Sequence, residues 1–259
     1  SVRALIATER MARARQLLFR AAGDQAAVSQ LSRFFSPEIA ERLSRADELL
    51  HPGDGEQREA AAMFIDLRGF TTLAAALPPA DLIDLLREYQ RIAVPIIHRH
   101  NGSIATFLGD GIMVTFGATR PTATDCADAM RCGERLLEAL AGWCVDREAK
   151  GLPAPGVGIG VDAGTVTCGV IGDEGRLEYA IIGDPVNRAA KLQNQTKVEG
   201  VLGLASLACR DRAIEQGYVP AGPQAVLADR AVAGVSGAVN LVVLGESGGH
   251  ARGRAGPRA

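Results

Sequence analysis

Residues 107–117 read FLGDGIMVTFG, two apolar runs with only Gly109-Asp110 between them. So short a connection admits only antiparallel strands joined by a two-residue loop, whose unusual backbone angles Gly and Asp tolerate. Strands are therefore expected over 103–108 and 111–116, with Asp110 at the tip of the turn. The surrounding pattern alternates in the same way. Residues 60–66 form a short apolar strand. Residues 79–100 show helical spacing, with Leu82, Leu85, Leu86, Tyr89, Ile92, Ile96 and Ile97 on one stripe and Pro95 as a point for a kink. A second long helix is expected over 124–143. Strands follow at 157–162, 166–171 and 178–182, then a helix at 185–197 and closing strands at 201–205 and 239–244. Helices interleaved with hairpins, rather than with single strands, predict an α+β sandwich with an antiparallel-rich sheet.

With 259 residues, 47% of them hydrophobic, the chain can bury a full core. A net charge of −2 lacks the basic excess of a nucleic-acid binder, so no nucleic-acid partner is expected. Lysine occurs only at 150, 191 and 197, and arginine supplies the other basic groups. The cysteines at 126, 132, 144, 168 and 209 are odd in number and lack CxxC spacing, which reads as reduced cytosolic thiols without structural zinc. No apolar run approaches the roughly 18 residues of a membrane span, and no signal peptide is visible. A cytoplasmic location is expected, alone or as the cytosolic part of a larger membrane-linked protein. The chain begins at Ser1 without methionine, which suggests a piece of something longer.

Residues 1–22 are arginine-rich and helix-prone, with Ala4, Met11 and Leu18, and Ala7, Ala14 and Ala21, at heptad-like spacing. A short parallel coiled-coil seam and an amphipathic helix packed on its own domain both fit that pattern. LSRFFSPEIAERL, residues 31–43, reads as a turn and a helix with Ser36 as N-cap and Pro37 at the first helical position. The expected organisation is a helical, transducer-like segment over 1–50, a polar linker at 51–59, a main domain at 60–246 and a disordered Gly/Arg-rich tail at 247–259.

Asp66 ends one apolar strand, and Asp110 occupies the hairpin turn. Both could simply be turn residues. If their strands are neighbours, both carboxylates emerge at one sheet edge, where they repel unless a hard cation such as magnesium or manganese lies between them. The stretch LRGFTT that follows Asp66 opens a turn whose backbone N–H groups can receive an anion. Metal beside an anion-binding turn points to phosphoryl chemistry.

In this order along the chain, FIDLRGFT, FLGDGIMVTFG, VGIGVDAGTVTCGVIG and GDPVNRAAKLQ resemble four motifs of the class III nucleotide cyclases, the adenylate and guanylate cyclases. They are similar, respectively, to the first metal-aspartate motif, the second, a glycine-rich hairpin and the transition-state helix. The resemblance spans about 60–244, and residues 31–43 resemble the segment often found upstream of such domains. It implies a ferredoxin-like sandwich that turns a nucleoside triphosphate into its 3′,5′-cyclic monophosphate and pyrophosphate. It further implies two Mg²⁺ or Mn²⁺ ions per site on Asp66 and Asp110, one activating the ribose 3′-hydroxyl and one holding the triphosphate. The turn formed by Leu67, Arg68, Gly69, Phe70 and Thr71 would cradle the phosphates through its backbone. Asn187 matches the asparagine that orients the ribose, and Lys191 stands where the family usually has a charge-neutralising arginine. The family completes its site across a homodimer interface, and residues 1–50 would join an upstream sensor or membrane domain to the cyclase.

Departures from the family concern the base. Thr106 stands where adenylate cyclases carry an adenine-recognising lysine, and Ala180 where its partner aspartate or threonine lies; the guanylate cyclase pattern is unmatched too. Gly158, and by a looser alignment Ala233, replace basic residues. Lys191 keeps a positive charge but loses the planar fork of arginine. The leading expectation is an adenylate cyclase producing cyclic AMP for signal transduction. The alternatives are a weak or inactive module for dimerisation or nucleotide sensing, and a cyclase of altered base preference.

Overall fold

The computed structural model describes residues 55–173 and 176–245. The expected helices of 1–50 and the tail at 247–259 lie outside the described residues. Residues 55–169 and 180–245 belong to one compact unit; residues 170–179, the outer part of one hairpin, fall outside it.

Among the described residues, eight strands form one sheet. In chain order they are β1 (Gly55–Arg68), β2 (Ser103–Leu108), β3 (Gly111–Phe116), β4 (Gly156–Asp173), β5 (Arg176–Ile182), β6 (Gly203–Ser206), β7 (Val226–Ala231) and β8 (Ala238–Val243). The spatial order is β2-β3-β1-β4-β6-β8-β7, with β5 paired to β4 off that path. Along the path β4 and β6 run parallel, while the pairs β2–β3, β3–β1, β1–β4, β6–β8 and β8–β7 are antiparallel. Interleaved are helices α1 (Phe70–Ala76), α2 (Pro79–Arg99), α3 (Asp125–Ala149), α4 (Asp184–Val198) and α5 (Leu207–Glu215). This is the expected α+β sandwich.

The period-2 alternation of a strand decides which helix covers which face. Ala61, Met63, Ile65 and Leu67 of β1, with Val157, Ile159 and Val161 of β4, share the main core with Leu85, Tyr89 and Ile97 of α2 and Met130, Leu136 and Leu140 of α3. The intervening positions turn to α4. A Cβ on Gly160 would lie 2.2 Å from both the Ala189 carbonyl oxygen and the Gln193 nitrogen, so α4 rests backbone to backbone on β4 at a place where only glycine fits. Leu192 of α4 joins Leu204, Val232, Leu241 and Val243 in a second apolar cluster.

Several boundaries differ from the sequence expectation. β1 begins at Gly55, inside the segment expected as linker, because its early residues pair with the far half of β4, Gly55 opposite Gly169. The two strands expected at 157–162 and 166–171 are one strand: Ala163-Gly164 remains in the ladder opposite Ala61 and Ala60, with Gly164 at φ 154°. VGIGVDAGTVTCGVIG is therefore not itself a hairpin but one arm of one, with β5 as the other. Helix α2 runs through Pro95 without interruption, and α3 continues to Ala149, where buried Arg147 pairs with Glu88 at 2.6 Å. Helices α1 and α5 and strand β7 add to the elements expected from sequence.

Candidate active site

Asp66 lies near the end of β1, directly opposite Gly158 of β4. Because β3 pairs with β1, Ile112 opposite Ile65, the tip of the β2–β3 hairpin is carried to that same end of the sheet. Gly109 takes the positive φ of 66° that so tight a turn requires, and Asp110 follows it. The two carboxyl groups adjoin. Burial, then the charge and hydrogen bonding of Asp110, raise the Asp66 carboxyl above its usual range. From α4, Gln193 Nε2 donates to Asp66 Oδ2 at 3.3 Å, and Lys197 Nζ stands 3.9 Å from the same oxygen. Nearby lies the hydroxyl of Tyr89, buried and without a hydrogen-bond partner among the described residues. Burial and the charges of Asp66 and Asp110 hold its phenol far from ionisation.

This donor set fits a hard divalent cation. Two carboxylates forced together in a half-buried corner gain from positive charge between them, and Mg²⁺ is commonly held by one or two carboxylates plus substrate phosphates and water. Among the described residues no group of three or more His, Cys, Asp or Glu side chains is arranged to hold a metal ion.

The turn after Asp66 divides its side chains between different tasks. Leu67 is 2% exposed and belongs to the core. Arg68 crosses the sheet: its stem lies against Gly156, its Nε is 3.5 Å from where a Gly158 side chain would begin, and its guanidinium donates to the Val201 carbonyl. A side chain at 158 would meet Gln193 Nε2 at 2.7 Å and Thr196 Oγ1 at 3.1 Å, with Arg68 alongside. Gly69 has φ 77° and caps α1, which starts with Phe70 and Thr71. The first N–H groups of such a turn have no intrahelical acceptor.

Asn187 and Lys191 are exposed on one stripe of α4, the Lys191 stem running beside Gly234 in the β7–β8 loop. At about 100° per residue, Gln193 and Lys197 lie roughly a third of the circumference away from that stripe. The helix therefore presents two different pairs: Gln193 and Lys197 to the carboxylates of its own chain, Asn187 and Lys191 elsewhere. Thr106 is exposed beside a register shift in β2, with only a long 3.4 Å contact from its hydroxyl to the Phe107 carbonyl, and Ala180 is half-buried on β5. The cavity lined by Asp162, Arg188, Ser206, Asp211 and Asn240 contains neither Asp66 nor Asp110 and reads as a surface cleft around the Arg188–Asp162 pair at 2.5 Å.

Sequence reasoning misses Gln193, Lys197 and Tyr89 as neighbours of the carboxylates. Gln193 and Lys197 do stand four apart on a helix, but nothing in the sequence tells which flank of that helix meets β1. Tyr89 reads in the sequence only as part of an apolar stripe.

Residues 55–202 match the family described as the adenylate and guanylate cyclase catalytic domain. An uncharacterized protein of Mycobacterium tuberculosis is 38% identical over 162 residues, which are 62% of this chain and 28% of that protein. The chain thus spans less than a third of the curated relatives it matches. Among solved structures, the guanylyl cyclase Cya2 is 28% identical with a TM-score of 0.63, over 73% of this chain and 93% of that one. The adenylyl cyclase CyaB from P. aeruginosa is 25% identical with a TM-score of 0.63, over 75% and 97%.

Proposed function

Since the chain belongs to the adenylate and guanylate cyclase catalytic-domain family, we propose that it converts ATP into 3′,5′-cyclic AMP and pyrophosphate as a homodimer. The observation that carries this reading is the meeting of Asp66 and Asp110 at the ends of strands otherwise built for burial, where Asp66 is held above its usual range by burial and its neighbour. Two carboxyl groups brought together in a half-buried corner repel each other, and a cation between them relieves that repulsion. Asp66 and Asp110 would hold two Mg²⁺ or Mn²⁺ ions, which supply activation of the ribose 3′-hydroxyl and neutralise charge on the triphosphate.

The chain's own groups do the rest. Backbone N–H groups of the turn 67–71 receive phosphate oxygens, while Leu67 anchors that turn in the core and the Arg68 side chain ties it to Val201. Asn187 orients the ribose, and Lys191 places positive charge near the α-phosphate. Both face away from the carboxylates of their own chain on a helix that cannot rotate over Gly160, which favours their acting at the site of a second copy. The dimer then has two equivalent sites. A lysine in place of arginine offers one mobile point charge instead of a fork, so turnover about 10- to 100-fold below that of an arginine-bearing site is expected. The output would serve signalling governed by whatever adjoins residues 1–50.

Thr106 and Ala180 support a second reading, a cyclase of broad base preference, since neither side chain can strongly reject the wrong base. The same bare positions would also suit a weak or inactive nucleotide-sensing dimer. Incubating the purified chain with Mn²⁺ and each of the four nucleoside triphosphates separates the three. Cyclic AMP with pyrophosphate is the expected product; several cyclic nucleotides in similar yield favour the second reading. No cyclic product from any of them overturns the enzymatic one.

A further inference from the structure

The end of α4 brings a cation to the carboxylates that the four matching motifs do not provide. Lys197 Nζ lies 3.9 Å from Asp66 Oδ2 with half of its side chain exposed. Its turn of helix is fixed beside the end of β1 by two links: Val201 N–H donates to the Thr196 carbonyl at 3.0 Å, and the Val201 carbonyl in turn accepts from Arg68. The segment that carries Lys197 is therefore tied to the turn 67–71 itself. Gly158, opposite Asp66 in the ladder, contributes no side chain, and the Arg68 guanidinium nearby is engaged with Val201. Gln193 donates to the same Asp66 oxygen as Lys197 approaches, so that oxygen keeps a donor when the lysine leaves.

We propose that Lys197 alternates between two anions of one site, resting against Asp66 when the carboxylates hold no divalent cation and turning to the triphosphate when they do. This rests on the cyclase reading above. The physical basis is charge: an ammonium and a divalent cation on one carboxylate repel each other, while a triphosphate bridged to that cation attracts both. A flexible four-carbon stem with a compact, hydrated head permits the change of partner without moving the helix. Lys197 is thus a positioning and binding residue for the polyphosphate, supplied by the same chain as the metal carboxylates and distinct from Lys191 on the outward stripe.

The test uses the whole chain and two probes, Mn²⁺ alone, followed by the electron paramagnetic resonance of free Mn²⁺, and inorganic triphosphate at saturating Mn²⁺, followed by calorimetry. Lys197→Ala should bind Mn²⁺ alone about 2- to 5-fold more tightly, having lost a competing cation, and bind triphosphate about 3- to 10-fold more weakly. Lys197→Arg should restore most of the triphosphate affinity. Opposite signs for the two probes are the signature; a residue that merely held α4 in place would weaken both and lower the melting temperature. No change in either, or a parallel fall in both, overturns the proposal. Asp66→Ala, measured alongside, keeps the two readings separable: Mn²⁺ binding that survives it overturns the metal site itself, whereas its loss together with unchanged Lys197 behaviour overturns only the role of the lysine.

Discussion

The carboxylate corner and positions 106 and 180 sit on the same domain and are built in opposite ways. Asp66 and Asp110 are delivered by paired strands, backed by buried Tyr89 and approached by Gln193 and Lys197 of their own chain. Thr106 is exposed at an irregularity of β2 with one poor contact, and Ala180 carries no polar side-chain atom. One region is fixed by the fold of a single chain; the other makes little side-chain contact within it. The lesson is that one domain can fix an acidic corner through its own packing and still leave strand positions 106 and 180 bare.

The largest expected effect would break the comparison at its stronger side. Asp66→Ala or Asp110→Ala should lower turnover by about 10³-fold or more, as loss of Lewis-acid assistance worth several kcal/mol requires. Melting temperature should change little, since both acids lie at the end of the sheet. Steady-state assays with Mn²⁺ beside thermal melts check both, and near-normal turnover in either variant would make these acids ordinary turn residues.

Next comes the division between chains. Asp66→Ala and Asn187→Ala homodimers should each be dead, yet an equal mixture should recover roughly a quarter of parental activity: half the dimers mixed, each with one intact site of two. Recovery of nothing, with mixed dimers demonstrated, would place the whole site within one chain.

A smaller effect is expected at the base. On the reading of broad base preference, ATP should be favoured over GTP by no more than about tenfold, because a site rejects analogues strongly only when they leave its buried polar groups unpaired. The Thr106→Lys/Ala180→Asp double variant should sharpen it toward ATP, measured as the ratio of kcat/KM values. A thousandfold preference in the parent chain would show that discrimination lies in backbone or in other side chains.

The smallest effect tests the backing of the corner. Tyr89→Phe removes a buried hydroxyl that has no partner among the described residues while keeping the ring beside Trp143, centroids 6.3 Å apart. Stability should be unchanged or rise by up to about 1 kcal/mol in denaturant titration. A loss of that size would reveal a hydrogen bond that the hydroxyl makes.

What could be read in the sequence was what local chemistry dictates. The Gly109-Asp110 turn, the buried stripe of α2 through Leu85, Tyr89, Ile96 and Ile97, and the alternation behind the α+β class all depend on neighbours a few residues away. Local signals mislead where distant pairing overrules them. Ala163-Gly164 looks like a turn, yet lies in a long strand because β1 runs alongside it through the ladder. Helix α1 has seven residues and no side-chain cap, so it left no sequence signal beyond Gly69. Strand β7 is mostly exposed and carries a bulge with Asp229 at φ 51°, which hides its alternation. For the site, the types and spacing of Asp66 and Asp110 were legible, but the nearness of Gln193 and Lys197 depends on how α4 is seated.

That seat, at Gly160, also sets what can move. A helix in backbone contact with a strand has little room to slide or roll against it without a clash. Asn187 and Lys191 therefore travel with the sheet beneath them, and in the proposed dimer their distance from a second copy's carboxylates would change mainly when whole subunits shift against one another. An upstream segment that turns or separates two such bodies by an ångström or so would act on both sites of the pair at once, as a single mechanical linkage rather than as two independent gates.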